Sequence, residues 1–175
     1  VDLKGDSQYI TIASCHFFDS GKSSLCGMTS ETGPNYISYH DNWFDHSDSR
    51  HPRIRTMTVH LWNNYYDGNA KYGVGTTMGS SAFVEANYFR NCKYPMLMAR
   101  QGHDPEATSG SVKTTFSGED GGFIKSFANV RTGLSASNYT TWQSNPTSFD
   151  AYEATSRLEK VPETIVTNHG GTPYN

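Results

Sequence analysis

The segment ISYHDNWF at positions 37–44 recurs along the chain in altered form, and this recurrence decides the fold. Each copy has alternating apolar positions, then one polar residue, then two large aromatic residues; the copies are ITIASCHFF (10–18), ISYHDNWF (37–44), VHLWNNYY (59–66) and AFVEANYF (82–89). The polar positions are His16, Asn42, Asn64 and Asn87, so the steps are 26, 22 and 23 residues. FIKSFANV is a weaker copy that ends near Asn129. A strand-bearing repeat of this length predicts a solenoid.

The repeat also predicts how its coils stack. Short alternating runs are half-buried strands, and equivalent residues of a parallel stack lie about 4.8 Å apart. The polar side chains are therefore expected to form a ladder along the axis, as stacked Asn side chains do. The aromatic pairs should stack as well: Phe17-Phe18, Trp43-Phe44, Tyr65-Tyr66 and Tyr88-Phe89. An antiparallel sandwich is the alternative, but only Asp67-Gly68 suits its tight hairpins.

Composition limits the classes of function. The 175 residues suit one domain, and 14 Lys and Arg against 17 Asp and Glu give a net charge of −3. We therefore expect no nucleic-acid partner, because no general basic field is present. No run approaches the roughly 18 apolar residues of a membrane span, and no signal peptide is recognised, so the sequence predicts a soluble or already processed protein. The three cysteines lack metal-ligand spacing and are predicted to be buried thiols.

The repeat divides the chain into two regions. Residues 1–133 are predicted to form the coils, with an inserted loop at about 100–122, and residues 134–175 an irregular tail packed on them. Within the tail, DAYEATSRLEK predicts one short helix, with Asp150 as its N-cap and Glu153 completing a capping box.

The segment DSRHPRIR (48–55) places several cations together. Side chains two apart on a strand share a face, so Arg53 and Arg55 point outward while Ile54 points into the core. Arg50 lies in the turn before this strand. Lys22 precedes Arg50 by 28 positions, about one coil, so stacking is expected to bring both to one face. A solvated surface paired with nearby acids is the alternative interpretation.

These segments resemble the pectate lyases of the polysaccharide lyase 1 type, which are right-handed parallel β-helices. The family's motif of Arg, one residue, Pro, two residues and Arg is matched by Arg50, Pro52 and Arg55. The flanking coils ISYHDNWFD and VHLWNNYYDG are similar to the family's, and VDLKGDSQYITIASCHFFDSGKSSLCG resembles the segment that carries a calcium-ligating Asp and a Lys. The similarity covers about residues 1–100, and more weakly 121–133. The run FDSGKSSLCGMTSE departs from the family around Lys22.

The resemblance implies a single-stranded, right-handed parallel β-helix and a secreted, extracellular enzyme. Such an enzyme would cleave polygalacturonate by β-elimination, with Arg50 as the base and Lys22 and Arg55 as further catalytic residues. Lys22, Arg53 and Arg55 would bind substrate carboxylates, and Asp2 would ligate Ca²⁺. The remaining calcium ligands are expected upstream of Val1, in the N-terminal half of a larger single-domain enzyme, either in the same chain or as a separate chain.

Three other functions suit the same architecture. A pectin lyase would act on methylated pectin by the same reaction. A polygalacturonan hydrolase needs an acid and a base carboxylate on either side of the bond, and the coils show no such pair of acids. A non-catalytic β-helix that binds pectin would tolerate the loss of Lys22 or Arg50.

Overall fold

The structure is a computed structural model that describes residues 1–29, 31–99, 104–106 and 116–132. Its strands are short and follow one another in groups of three, one group to a coil. In chain order they are β1 (Asp2–Leu3), β2 (Thr11–Ala13), β3 (His16–Phe18), β4 (Leu25–Cys26), β5 (Ile37–His40), β6 (Trp43–Asp45), β7 (Arg53–Arg55), β8 (Thr58–Trp62), β9 (Tyr65–Asp67), β10 (Val74–Thr77), β11 (Ser81–Glu85), β12 (Tyr88–Arg90), β13 (Met96–Met98), β14 (Phe123–Phe127) and β15 (Val130–Thr132).

The strands form three parallel sheets. Each of the first twelve strands pairs with the strand three elements further along the chain, which gives the orders β1-β4-β7-β10-β13, β2-β5-β8-β11-β14 and β3-β6-β9-β12-β15. We call these the first, middle and last sheet. Parallel pairing with this constant offset is the topology of a β-solenoid, here of about four turns. The predicted parallel β-helix is confirmed, and the antiparallel sandwich is excluded.

Each repeat segment, predicted as one strand, is divided by a corner into a strand of the middle sheet and a strand of the last sheet. The residue at the start of each corner has a left-handed backbone: φ is 54° at Asp41, 51° at Asn63, 52° at Ala86 and 54° at Ala128. The next residue is the repeated Asn. A single left-handed residue turns the chain sharply, so the Asn side chain points along the axis of the solenoid.

The predicted Asn ladder is confirmed. Asn42 Nδ2 donates to Asn64 Oδ1 at 3.0 Å, and Asn64 Nδ2 donates to Asn87 Oδ1 at 2.9 Å. Asn87 Nδ2 continues the ladder to Asn129 Oδ1 at 3.1 Å. Each of these carbonyl oxygens also accepts the backbone N–H of the preceding ladder Asn. The ladder therefore joins four successive coils through the buried Asn42, Asn64 and Asn87 and the half-buried Asn129.

The register predicted for the first coil is wrong by one residue. Cys15, not His16, occupies the ladder position, because its backbone N donates to Asn42 Oδ1 at 3.0 Å. His16 instead lies opposite Trp43, and the two rings stack with centroids 4.2 Å apart. Phe17 lies opposite Phe44, and Phe18 opposite Asp45. His16 was aligned with the ladder Asn residues because its side chain is polar. Its ring, however, occupies the first of the two aromatic positions.

Two columns of rings run through the last sheet. The inner column is Phe17, Phe44, Tyr66 and Phe89, with successive centroids 4.8, 4.9 and 4.4 Å apart. Its last three members are fully buried and belong to the main hydrophobic core. The outer column continues from His16 and Trp43 to Tyr65 and Tyr88. Apart from Phe18, the predicted aromatic pairs therefore stack.

Cys26 and Cys92 are buried free thiols, as predicted, but Cys15 is exposed, so the prediction is wrong for this residue. Cys15 lies at the corner between β2 and β3 in the first described coil. The helix predicted around Asp150 and the tail 134–175 lie outside the described residues. Within the described ranges, no helix is long and apolar enough to cross a membrane.

Candidate functional site

Strand β7 presents two arginines on the outer face of the first sheet. Ile54 between them is fully buried in the core. The side chains of Arg53 and Arg55 are only 11% and 12% exposed, although they point away from the core. The predicted alternation is therefore present, and another part of the chain covers the two guanidinium groups.

The turn before β7 brings Arg50 and Lys22 to the same place. Arg50 has a left-handed backbone with φ of 66°. Its carbonyl oxygen accepts the N–H of Ser24 at 2.8 Å, and Lys22 forms a parallel bridge with Ser49. The two cations consequently sit on adjacent coils, and both line a cleft of about 440 Å³. The stacking expected from their spacing is confirmed.

Two further lysines line this cleft, and sequence reasoning missed them. Lys71 with Tyr72 and Lys93 with Tyr94 belong to the next two coils. The coils are held in line by backbone hydrogen bonds from His51 to Gly73 and from Gly73 to Tyr94. A signal was present, because the pair Lys-Tyr recurs after 22 residues, one coil step. A cationic row formed by Lys22, Arg50, Lys71 and Lys93 thus follows the solenoid axis.

Aromatic rings close one side of the cleft. The rings of Tyr72 and Phe116 pack with centroids 4.3 Å apart, and the Arg53 guanidinium lies 5.4 Å from the centre of the Phe116 ring. Both rings lie directly over Gly75, where an added Cβ would come within 2.6 Å of Tyr72 and 2.8 Å of Phe116. Gly75 is therefore required for this packing.

An acid from the inserted region covers β7. Glu119 accepts hydrogen bonds from Arg55 Nε at 3.1 Å, from Arg55 Nη2 at 3.0 Å and from Arg53 Nη2 at 2.9 Å. Burial opposes ionisation of Glu119, but hydrogen bonds from Arg55, Thr77 and Arg53 outweigh it and lower the pKa of Glu119 to about 2. The two arginines predicted to bind substrate therefore already hold a carboxylate of the chain.

Asp2 lies in the same outward row as Arg53, two strands away, because Asp2 pairs with Leu25 and Leu25 with Arg53. Its carboxylate is half exposed and lies 3.2 Å from Lys4 Nζ. Carboxylate oxygen suits Ca²⁺, which takes six to eight oxygen ligands. Asp2 offers one such oxygen donor group, and its role as a calcium ligand stays a prediction. In the part of the chain that the structure describes, no group of three or more His, Cys, Asp or Glu residues is placed to hold a metal ion.

His51 supports the cleft from inside the solenoid. Its Nδ1–H donates to the carbonyl oxygen of Tyr72 at 2.8 Å, and its ring packs edge-on against Phe44. Its Nε2 is buried with no hydrogen-bond partner among the described residues. Burial lowers the pKa of His51 from 6.5 to about 4, and hydrogen bonds with Tyr72 and Gly73 oppose this only partly.

We expect this histidine to make folding pH-dependent. The unfolded chain binds a proton at His51 near pH 6.5, whereas the folded protein does so only near pH 4. The contribution of His51 to the free energy of unfolding is therefore complete above pH 6.5. It decreases as the pH falls towards 4, by up to about 3 kcal/mol. Urea unfolding of the wild type and of His51→Asn measures it. If the unfolding free energy has the same slope against pH in both proteins between pH 6.5 and 4, His51 is not the group responsible.

The fold and the cleft together define a parallel β-helix protein with a cationic, aromatic-lined groove on its first sheet. A family model described as pectate lyase matches residues 1–162, so the chain belongs to the pectate lyase family.

Curated relatives agree with this family. The chain is 35% identical over 97 residues to a pectate trisaccharide-lyase of Bacillus licheniformis, covering 55% of this chain and 28% of that protein. It is 32% identical over 111 residues to pectate lyase A of Emericella nidulans, covering 61% of this chain and 34% of that protein. The chain thus spans about a third of the length of these relatives.

Solved structures also match. Pectate lyase Bsp165PelA from Bacillus sp. N165, solved in complex with trigalacturonate, is 30% identical with a TM-score of 0.58, covering 87% of this chain and 48% of that one. Pectate lyase II from Xanthomonas campestris shares the fold at 24% identity, with a TM-score of 0.61 over 86% of this chain and 40% of that one.

Proposed function

We propose that the protein containing this chain is a secreted, extracellular pectate lyase that cleaves α-1,4-polygalacturonate by β-elimination and leaves 4,5-unsaturated products. The observation that carries the proposal is the cleft, which five cations line in a chain of net charge −3; they are Lys22, Arg50, Arg53, Lys71 and Lys93. Such a local concentration of positive charge suits a polyanion that threads the groove.

The cationic row suits a regularly charged polymer. Its members lie on successive coils, and neighbouring strands of a parallel sheet are about 4.8 Å apart. Polygalacturonate carries one carboxylate on each sugar, so several sugars can meet a cation at once. Tyr72, Tyr94 and Phe116 supply ring faces and edges against which the sugar rings can pack.

Arg50 is the residue we assign as the base. Its guanidine takes the C5 proton, the C5–H electron pair forms the C4=C5 double bond, and the C4–O bond breaks. The glycosidic oxygen leaves with that bonding pair and takes a proton from water. The C5 proton is α to a carboxylate, and its removal adds charge there, so we assign Lys22, on the adjacent coil, to stabilise the developing charge. Arg55, predicted as a further catalytic residue, holds Glu119 instead, so we assign it no step in the reaction.

Calcium belongs to the same proposal, with Asp2 as one ligand and the others contributed from outside the described residues. When bound, Ca²⁺ would supply positive charge that makes the C5 proton more acidic. The chain's own cations perform the binding and the orientation described above.

The geometry of the cleft supports the three alternative functions less well. A hydrolase needs two carboxyl groups on either side of the scissile bond. The acids beside the cleft are instead paired with its cations, Asp48 with Lys71 and Glu119 with Arg53. A pectin lyase would act on methylated substrate, for which a row of cations offers less. A non-catalytic pectin-binding β-helix would not depend on Arg50.

Product analysis on polygalacturonate tests the function. We expect ultraviolet absorbance from unsaturated uronate ends, its loss in EDTA, and its return when calcium is restored. Fully methyl-esterified pectin under the same conditions should give a lower rate. Saturated reducing ends without the ultraviolet signal, and indifference to EDTA, would favour a hydrolase.

A further inference from the structure

Glu119 occupies the place that a substrate carboxylate would take between Arg53 and Arg55. Both of its oxygens are used: Oε1 faces Nε and Nη2 of Arg55, and Oε2 faces Arg53 Nη2 and Arg55 Nε at 2.9 and 3.1 Å. Arg53 Nη2 also donates to Ser117 Oγ at 2.8 Å. The contact joins residues 64 to 66 positions apart, so it depends on how the inserted region docks.

Backbone contacts fix this part of the inserted region. Gly121 forms an antiparallel bridge with Thr77. Met78 N donates to the carbonyl oxygen of Asp120 at 2.6 Å, and Gly79 N donates to that of Gly121 at 3.0 Å. Glu119 is thereby held against the arginines as a tethered ligand, and a tethered group competes at an effective concentration of the millimolar order. A free carboxylate at this position would have to displace it.

The arginines offer little to a second carboxylate. Arg55 presents Nε and Nη2, the edge that forms two parallel hydrogen bonds with a carboxylate, to Glu119. Arg53 contributes its Nη2 to Glu119 and Ser117. The cations of the row also line the cleft, and Lys71 among them contacts Asp48 Oδ2 at 2.7 Å but keeps 69% of its side chain exposed. The two parts of the groove therefore differ: Lys71 of the row keeps an exposed positive charge, whereas Arg53 and Arg55 are nearly covered and are neutralised in part by Glu119.

We propose that Glu119 is a specificity-determining residue that closes the Arg53–Arg55 end of the cleft to a free uronate carboxylate, so that this end accepts a methyl-esterified sugar. The inference rests on the proposed function and deepens it. The substrate is then a partly methyl-esterified galacturonan, with free carboxylates at Lys22, Arg50, Lys71 and Lys93 and an uncharged ester beside Glu119. An ester needs no guanidinium partner and is not repelled by the Glu119 carboxylate.

Binding measurements with trigalacturonate and its methyl ester test the inference in the purified protein. Glu119→Gln keeps the shape but removes the charge, so we expect about tenfold tighter binding of trigalacturonate and less than about a twofold change for the ester. Glu119→Ala should show the same two effects on the binding of trigalacturonate and of its methyl ester. Glu85→Gln removes the same charge on the middle sheet, where Glu85 accepts from His60 at 2.8 Å, and serves as the matched control. Equal or weaker trigalacturonate binding by both folded Glu119 variants overturns the inference.

Arginine labelling separates this inference from the proposed function. Phenylglyoxal should modify Arg53 and Arg55 slowly in the wild type and about tenfold faster in Glu119→Gln, as peptide mapping by mass spectrometry would show. Equal labelling rates overturn the inference, whatever the substrate. If neither protein binds trigalacturonate, the proposed function is contradicted, and the substrate named here is overturned with it. If both bind it equally, only the role of Glu119 is overturned.

Discussion

Replacing Arg50 by alanine is expected to lower kcat on polygalacturonate by about 10² to 10⁴, the usual contribution of a general base. Binding of trigalacturonate should weaken by less than about tenfold, because the other cations of the row still hold its carboxylates. The base acts on the C5 proton only in the transition state, so its loss reduces turnover more than affinity. Steady-state kinetics and calorimetric binding measure the two effects.

Two control variants make this result specific. Arg50→Lys keeps the positive charge but has a shorter stem and one point of charge, so it should not restore turnover. Lys71→Ala removes another cation of the row one coil away, and we expect it to raise KM more than it lowers kcat. Near-normal turnover in Arg50→Ala, or recovery in Arg50→Lys, would place the proton transfer on another residue.

Replacing Asn64 by alanine is expected to destabilise the protein by about 3 to 4 kcal/mol. Asn64 Nδ2 donates to the carbonyl oxygen of Tyr39 at 3.0 Å and to Asn87 Oδ1 at 2.9 Å. Its Oδ1 accepts from the backbone N and Nδ2 of Asn42 at 3.1 and 3.0 Å. Each buried hydrogen bond contributes about 1 kcal/mol, and the partners left behind lie in the interior.

Asn64→Asp distinguishes the hydrogen bonds from packing. The aspartate has nearly the same volume but cannot donate to Tyr39 and Asn87 when ionised. We expect it to destabilise the fold at neutral pH as much as alanine does, which urea unfolding would measure. A stability close to that of the wild type for Asn64→Asp would contradict the ladder as an energetic element.

The sequence predicted the solenoid because its period is repeated in the residues that join coils. Asn42, Asn64 and Asn87 must be Asn at each corner, since both the donor and the acceptor of the amide are used. The register of the first coil was predicted wrongly because Cys15, which has no side-chain amide, stands at the ladder position. It contributes only its backbone N–H. The alternation around Ile54 likewise predicted the outward direction of Arg53 and Arg55, because that direction follows from the pleat alone.

The cleft was only partly predictable. Lys71 and Lys93 were missed, although their shared Lys-Tyr pair at one coil step contained the signal. Glu119 and Phe116 were not predictable by that route, because they come from an insertion that does not share the period of the coils. Their contacts with Arg53 depend on how the inserted region docks, and no local pattern of residues specifies this.

A crystal structure of the Arg50→Ala variant with trigalacturonate tests the central claim most directly. The account predicts sugars along the cationic row, with carboxylates at Lys22, Lys71 and Lys93 and with one C5–H facing the vacated side of residue 50. Sugars bound on another face of the solenoid, or in this cleft with every C5–H turned away from residue 50, would contradict it.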